Sequence, residues 1–163
     1  WTHRRFDLPL ELYRFWRYPR LYAVSRMAPI SEHTSDAQFK CRTPYYDDLD
    51  KTMWKQAIAH LYLNRSERRV YREKRRQEKD AGRWLTERMA AKDAVRILLN
   101  KALGRTIPPA DIEIFEQENG YLIPDCRAIP ELDGKMLLAV TRKKQFVSAA
   151  LLRQVEIMEK EGL

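Results

Sequence analysis

The segment Arg83–Gly104, RWLTERMAAKDAVRILLNKALG, constrains the fold more than any other stretch of the chain. Its apolar side chains return every three or four positions, no proline interrupts them, and a glycine stands where a left-handed cap ends a helix. It reads as one long amphipathic helix. Met89, Asp93 and Ile97, each four residues apart, share a face, and Trp84, Ala91, Val95, Leu98 and Ala102 form the neighbouring apolar stripe. Asp93 is therefore expected at the edge of buried surface, next to Lys92. A carboxylate there stays ionised only if it is paired or bound to a metal. Two readings stand side by side: a salt bridge with Arg96 or with a lysine from another element, or a divalent metal ion that also carries a phosphate ligand.

Two helices are expected upstream. The first runs through Thr52–Leu63 with Asp50 as its cap and Met53, Ala57, Ile58 and Leu61 at helical spacing. Asn64 or Ser66 restarts the chain into a basic helix, RSERRVYREKRR, closed by Asp80-Ala81-Gly82. Glu67 and Glu73 are expected to pair locally within that run. Beyond Gly104 the pattern changes. Pro108-Pro109 break the chain, and Ile112–Ile114 and Leu122–Ile123 read as strands around a Glu118-Asn119-Gly120 turn. Leu137–Val140 and Phe146–Leu152 read as two more, across Arg142-Lys143-Lys144. Helices followed by a small antiparallel sheet make an α+β module.

Residues 1–45 differ in character, being rich in aromatics and arginine and punctuated by Pro9, Pro19 and Pro29. They read as a linker or strap from a preceding domain, with 31–38 as a loop, and the domain proper is placed at 46–163. At 163 residues the chain holds one domain with a real core. It opens on Trp1 and is expected to be a piece of something longer. No apolar run approaches the roughly 20 residues that cross a bilayer, and a cytoplasmic location is expected. Cys41 and Cys126 lie far apart, without metal-ligand spacing, and read as free thiols. His60, beside Ile58 and Leu61, reads as structural.

A net charge of +8 and a pI near 9.6 call for an anionic partner. The candidates are nucleic acid, a phosphorylated cofactor or an acidic protein. Tyr71 is the only aromatic in the basic run 65–76, which therefore lacks the interleaved aromatics of a nucleic-acid reader. That class is disfavoured.

Several pieces in fixed order resemble the 4′-phosphopantetheinyl transferases, of the holo-acyl-carrier-protein synthase type and of the version fused to iterative, enediyne-type polyketide synthases. The pieces are Leu63-Asn-Arg-Ser-Glu67-Arg, Arg88-Met-Ala-Ala-Lys92-Asp93-Ala94, Lys101-Ala-Leu-Gly104, Ile112-Glu-Ile114 with Asn119-Gly120 before Pro124, and Leu138-Ala-Val-Thr141-Arg142 with Phe146-Val-Ser-Ala-Ala. They cover roughly residues 50–152. The resemblance implies transfer of 4′-phosphopantetheine from coenzyme A, as co-substrate, to a serine of an acidic acyl carrier protein, with Mg2+ as cofactor. It makes Asp93 the metal ligand and, with Lys92, the catalytic group. Lys92 and Lys101 would contact phosphates, and Lys101, Arg88 and Arg142 would bind coenzyme A. The basic run would dock the carrier.

This chain departs from the family's pattern in four places. Asp93 replaces a glutamate, Ile97-Leu-Leu-Asn100 is inserted before Lys101, Thr141-Arg142 replaces Ser-His, and the strand that supplies the other metal carboxylate is missing. Asp36, Asp47, Asp48 or another chain would have to provide that group. Because the family's small members are trimers and its large ones fused pairs, a homo-oligomer or an intramolecular partner domain is implied. A non-catalytic carrier-docking or scaffolding module of the same fold is the alternative.

Overall fold

The computed structural model describes residues 25–27, 37–44, 52–77, 80–104, 106–127, 129, 136–142 and 146–153. They form an α+β arrangement of three helices and an antiparallel sheet. The helices are α1 (Thr52–Tyr62), α2 (Arg65–Arg76) and α3 (Ala81–Leu103). The strands are β1 (Arg26–Met27), β2 (Ala37–Pro44), β3 (Ile112–Glu116), β4 (Leu122–Cys126), β5 (Met136–Arg142) and β6 (Phe146–Arg153). Among the described residues the sheet order is β1-β2-β6-β5-β4-β3.

Local chemistry accounts for most of the boundaries. Asn64 caps α2 with a complete capping box: its side chain accepts from the Glu67 amide, and the Glu67 carboxylate accepts from the Asn64 amide. Gly104 ends α3 at φ 61°, a left-handed conformation that costs glycine nothing. Gly120, at φ 83°, sits in the β3–β4 turn, and the strands it joins pair from Ile112 with Cys126 to Glu116 with Leu122. Helix α3 begins two residues earlier than its sequence pattern indicated, taking in Gly82.

Two expectations are corrected. Ala37–Pro44 is a full strand, not partly a loop, and it pairs along its length with β6 from Ala37–Leu152 to Pro44–Phe146. The sheet thus takes two strands from upstream of residue 46, and a domain boundary there would cut through it. A half-polar strand such as AQFKCRTP becomes legible only when its partner supplies the ladder. The Asp50 cap lies outside the described residues, as do Pro9, Pro19 and the rest of the aromatic segment before Ser25.

The second correction concerns α3, which is not amphipathic in place. The nine residues from Arg88 to Arg96 are all buried. Its small side chains Ala90, Ala91 and Ala94, with Val95 and Leu99, pack against Ile112, Ile114, Leu122, Leu138 and Ala149 of the sheet. On the other side Leu85 and Met89 join Ile58, Ala59, Tyr62, Leu63 and Tyr71 of α1, α2 and the turn between them. A helix covered on both sides has no polar face to give to water. Its charged residues must find partners inside the protein.

Candidate functional site

Four charged side chains of α3 are buried between these two apolar layers: Arg88, Lys92, Asp93 and Arg96. Lys92 and Asp93 are wholly inaccessible, at 0% exposure each. Their neighbours divide them into two linked sets.

Lys92 reaches toward α2. Its Nζ donates to the Tyr62 carbonyl at 2.7 Å and forms an ion pair with Glu67. Glu67 in turn accepts from the Ile114 amide at 3.2 Å, besides capping its own helix. One carboxylate therefore ties the start of α2, the middle of α3 and strand β3. The local pairing expected of Glu67 does not occur, because the third helical position points it inward; Glu73 does pair locally, with Arg76 at 4.0 Å. Burial pushes the Lys92 ammonium below its ordinary value of 10.5, and the neighbouring Glu67 opposes that shift.

Asp93 faces the other way. Its Oδ2 accepts from the Ser25 amide at 2.9 Å, the Ser25 hydroxyl at 2.7 Å and the Tyr62 hydroxyl at 2.9 Å. Its Oδ1 accepts from Arg96 Nη1 at 3.1 Å. Arg96, only 1% exposed, also donates from Nε to the Ile107 carbonyl at 2.8 Å. Burial pushes the Asp93 carboxyl above its usual range, while Arg96, Ser25 and Tyr62 pull it back. The ion pair with Arg96, one of the two readings of the sequence, is thus present.

Arg88 lies one turn before Lys92 and is 6% exposed. Its guanidinium stands over the Trp84 ring, 4.9 Å from the centroid, and Nη2 meets Glu116 at 3.3 Å. Its Nε and Nη1 have no hydrogen-bond acceptor among the described residues. Burial lowers its pKa against the pull of Glu116, Glu67 and Glu87. Arg142, at the end of β5, is exposed and ion-pairs with Glu87, its Nη2 reaching Oε2 at 3.1 Å. The structure thus brings Arg88, Lys92 and Asp93 into one buried layer and sets Arg142 beside that layer through Glu87. Lys101 belongs to α3, roughly 14 Å further along its axis than Lys92; its side chain lies outside the described residues. So do Asp36, Asp47 and Asp48.

No protein-family model matches the chain, and no curated protein matches it.

A carboxylate has about four lone-pair sites, and those of Asp93 meet four protein donors, one of them a cation. Magnesium needs such oxygens free, normally beside a second carboxylate or phosphate oxygens. Among the described residues no group of three or more His, Cys, Asp or Glu side chains is placed to hold a metal ion. The residues around Asp93, arranged in this way, do not fit the ion. Ser25, Tyr62 and the inward-facing Glu67 complete the layer and had not been read as site residues. Ser25 and Tyr62 carried no signal, since they lie 68 and 31 residues from Asp93. Glu67 did carry one, as the acid three residues after a capping Asn.

Proposed function

We propose that the chain transfers 4′-phosphopantetheine from coenzyme A to a serine hydroxyl of an acyl carrier protein, in polyketide or fatty-acid synthesis. One observation carries this reading. Glu67 and Lys92, which belong to two separate pieces of the resemblance, meet in a buried ion pair. Arg88, from the same piece as Lys92, adds a buried guanidinium with two nitrogens lacking acceptors. Phosphate oxygens are the acceptors that such a group takes best.

In the proposed reaction the serine oxygen forms a bond to the pantetheine-side phosphorus of coenzyme A. The bond from that phosphorus to the bridging oxygen breaks, and adenosine 3′,5′-bisphosphate leaves. Arg88 and Arg142 are the proposed phosphate contacts, with Lys101 further along α3. Lys92 acts through Glu67, holding α2 against α3. Asp93 is the proposed final acceptor of the serine proton, reached through Ser25, which is 6% exposed: its hydroxyl would take the substrate's proton as it passes its own to the Asp93 oxygen it donates to. Mg2+, which the resemblance implies, would have to find its oxygens outside the described residues, and no step is routed through it.

The basic run on α2 suits an acidic carrier, whose charge would speed encounter and set orientation. A partner domain or second copy would complete the site. The saturation of Asp93 favours a second reading, a non-catalytic module of this fold that docks a carrier or scaffolds an assembly. No helix among the described residues is long and apolar enough to cross a membrane.

The test is incubation with an apo carrier protein, coenzyme A and Mg2+, following the carrier's mass. Gain of the phosphopantetheine mass, abolished in Asp93→Asn, is the expected result. No gain where a known transferase succeeds overturns the enzyme reading, and retained carrier binding then supports the scaffold. Salt-sensitive binding to arbitrary DNA without carrier affinity would turn the basic run toward nucleic acid.

A further inference from the structure

A second cationic feature, outside the buried layer, has a different construction. Helix α2 carries Arg65, Arg68, Arg72 and Arg75 at steps of three, four and three residues, which makes one stripe along the helix. The stripe borders a groove of about 380 Å3 between α1 and α2, together with His60 and Tyr71. The remaining lining residues, Gln56 and Ala59, are uncharged, so no carboxylate lines the groove. The larger groove at the start of α2 differs, because Asp111, Glu113 and Asp125 stand among its arginines.

Arg68 donates from Nε to the Asn64 carbonyl at 3.3 Å, which fixes its guanidinium at the rim of the groove and leaves Nη2 for a ligand. His60 is exposed, and its Nδ1 lies 2.7 Å from Arg68 Nη1. A guanidinium only donates, so Nδ1 is the acceptor and the ring N–H is on Nε2. Tyr71 is 3% exposed, and its hydroxyl has no hydrogen-bond partner among the described residues. A buried hydroxyl without a partner is costly and calls for an explanation.

We infer that this groove binds a phosphate-bearing small molecule, a phosphomonoester or a pyrophosphate, through the Arg68 and Arg72 guanidiniums that border it. Arginine forks match phosphate oxygens two at a time, which lysines do not. The volume is that of a small-ligand pocket. Carrier docking on α2 draws on net charge alone, which Arg69 and Arg76 supply equally well. The phosphate site needs the stripe that faces the groove.

Calorimetric titration of the full chain with inorganic pyrophosphate tests this. Neither coenzyme A nor a carrier is needed, so failure here and failure of the transferase reading are separate outcomes. Saturable binding is expected, weakened about tenfold or more in Arg68→Gln/Arg72→Gln, the loss of two charge-assisted contacts. The charge-matched Arg69→Gln/Arg76→Gln should stay within about twofold, since those side chains do not line the groove. If the first double variant fails to fold, Arg72→Lys replaces it; keeping the charge but losing the fork, it should still weaken binding severalfold. No saturable binding, or equal losses in the two double variants, overturns the inference.

Discussion

Helices α2 and α3 both carry many cations, and they use them in opposite ways. On α3 the cations Arg88, Lys92 and Arg96 are buried, and each meets a carboxylate: Glu116, Glu67 and Asp93 respectively. On α2 the arginines stand mostly in solvent, and the ion pair they make is loose, Arg76 to Glu73 at 4.0 Å with both side chains more than half exposed. The same residue type thus serves two ends. Removing water leaves a cation dependent on its partner, so α3 specifies one arrangement of sheet and helices. Leaving water in place keeps the α2 cations available to a ligand.

The largest expected effect lies in the buried layer. Asp93→Ala takes the Asp93 carboxylate from the buried Arg96, Ser25 and Tyr62 together, at a cost of about 3–5 kcal/mol. Urea unfolding measures it, and a loss under about 1 kcal/mol would break the contrast with α2. Lys92→Met should cost less, about 2–4 kcal/mol, because Glu67 keeps the Asn64 and Ile114 amides.

The Lys92 substitution also has a pH signature. Burial holds the folded pKa of Lys92 below its ordinary 10.5, so between those two values the unfolded chain binds the extra proton. Stability therefore rises with pH through that window and is lost as pH falls through the folded value. Unfolding followed as the pH is raised toward 10.5 should show this rise in the wild type and a flatter profile in Lys92→Met. Parallel profiles would mean that the ammonium is not desolvated.

Asn64 sits where the two regions join. Asn64→Ala removes one side of the capping box and should cost about 1 kcal/mol. A loss as large as that of Lys92→Met would show that the cap also positions Glu67 for α3. The smallest effect belongs to Arg69→Gln/Arg76→Gln, which should leave the thermal midpoint unchanged within error, as exposed charges contribute little to stability. A clear drop would mean that α2 too relies on its charges for folding.

Much of this was legible in advance, and for local reasons. The Asn64 start, the Gly104 stop and the Asn119-Gly120 hairpin follow from chemistry within a few residues of each site, and so do the strands Met136–Arg142 and Phe146–Arg153. The Lys92-Asp93 pair singled out by the sequence is wholly buried in the middle of α3. Its surroundings were not legible. Spacing put Asp93 at an edge with one open side, whereas the sheet closes over that side and Ser25 arrives from the β1 end. Strand β2 was missed because its identity rests on β6, more than a hundred residues later.

By itself, then, the sequence determined the α+β class, the order of elements from α1 onward, the basic character of α2 and the demand that Asp93 be neutralised. Each is a matter of short-range sterics, periodicity or charge count. Only the tertiary structure decided which group answers that demand. Burial makes every donor near a carboxylate compete for the same few lone pairs, and the winners, Ser25, Tyr62 and Arg96, were chosen by where the chain's distant segments come to rest.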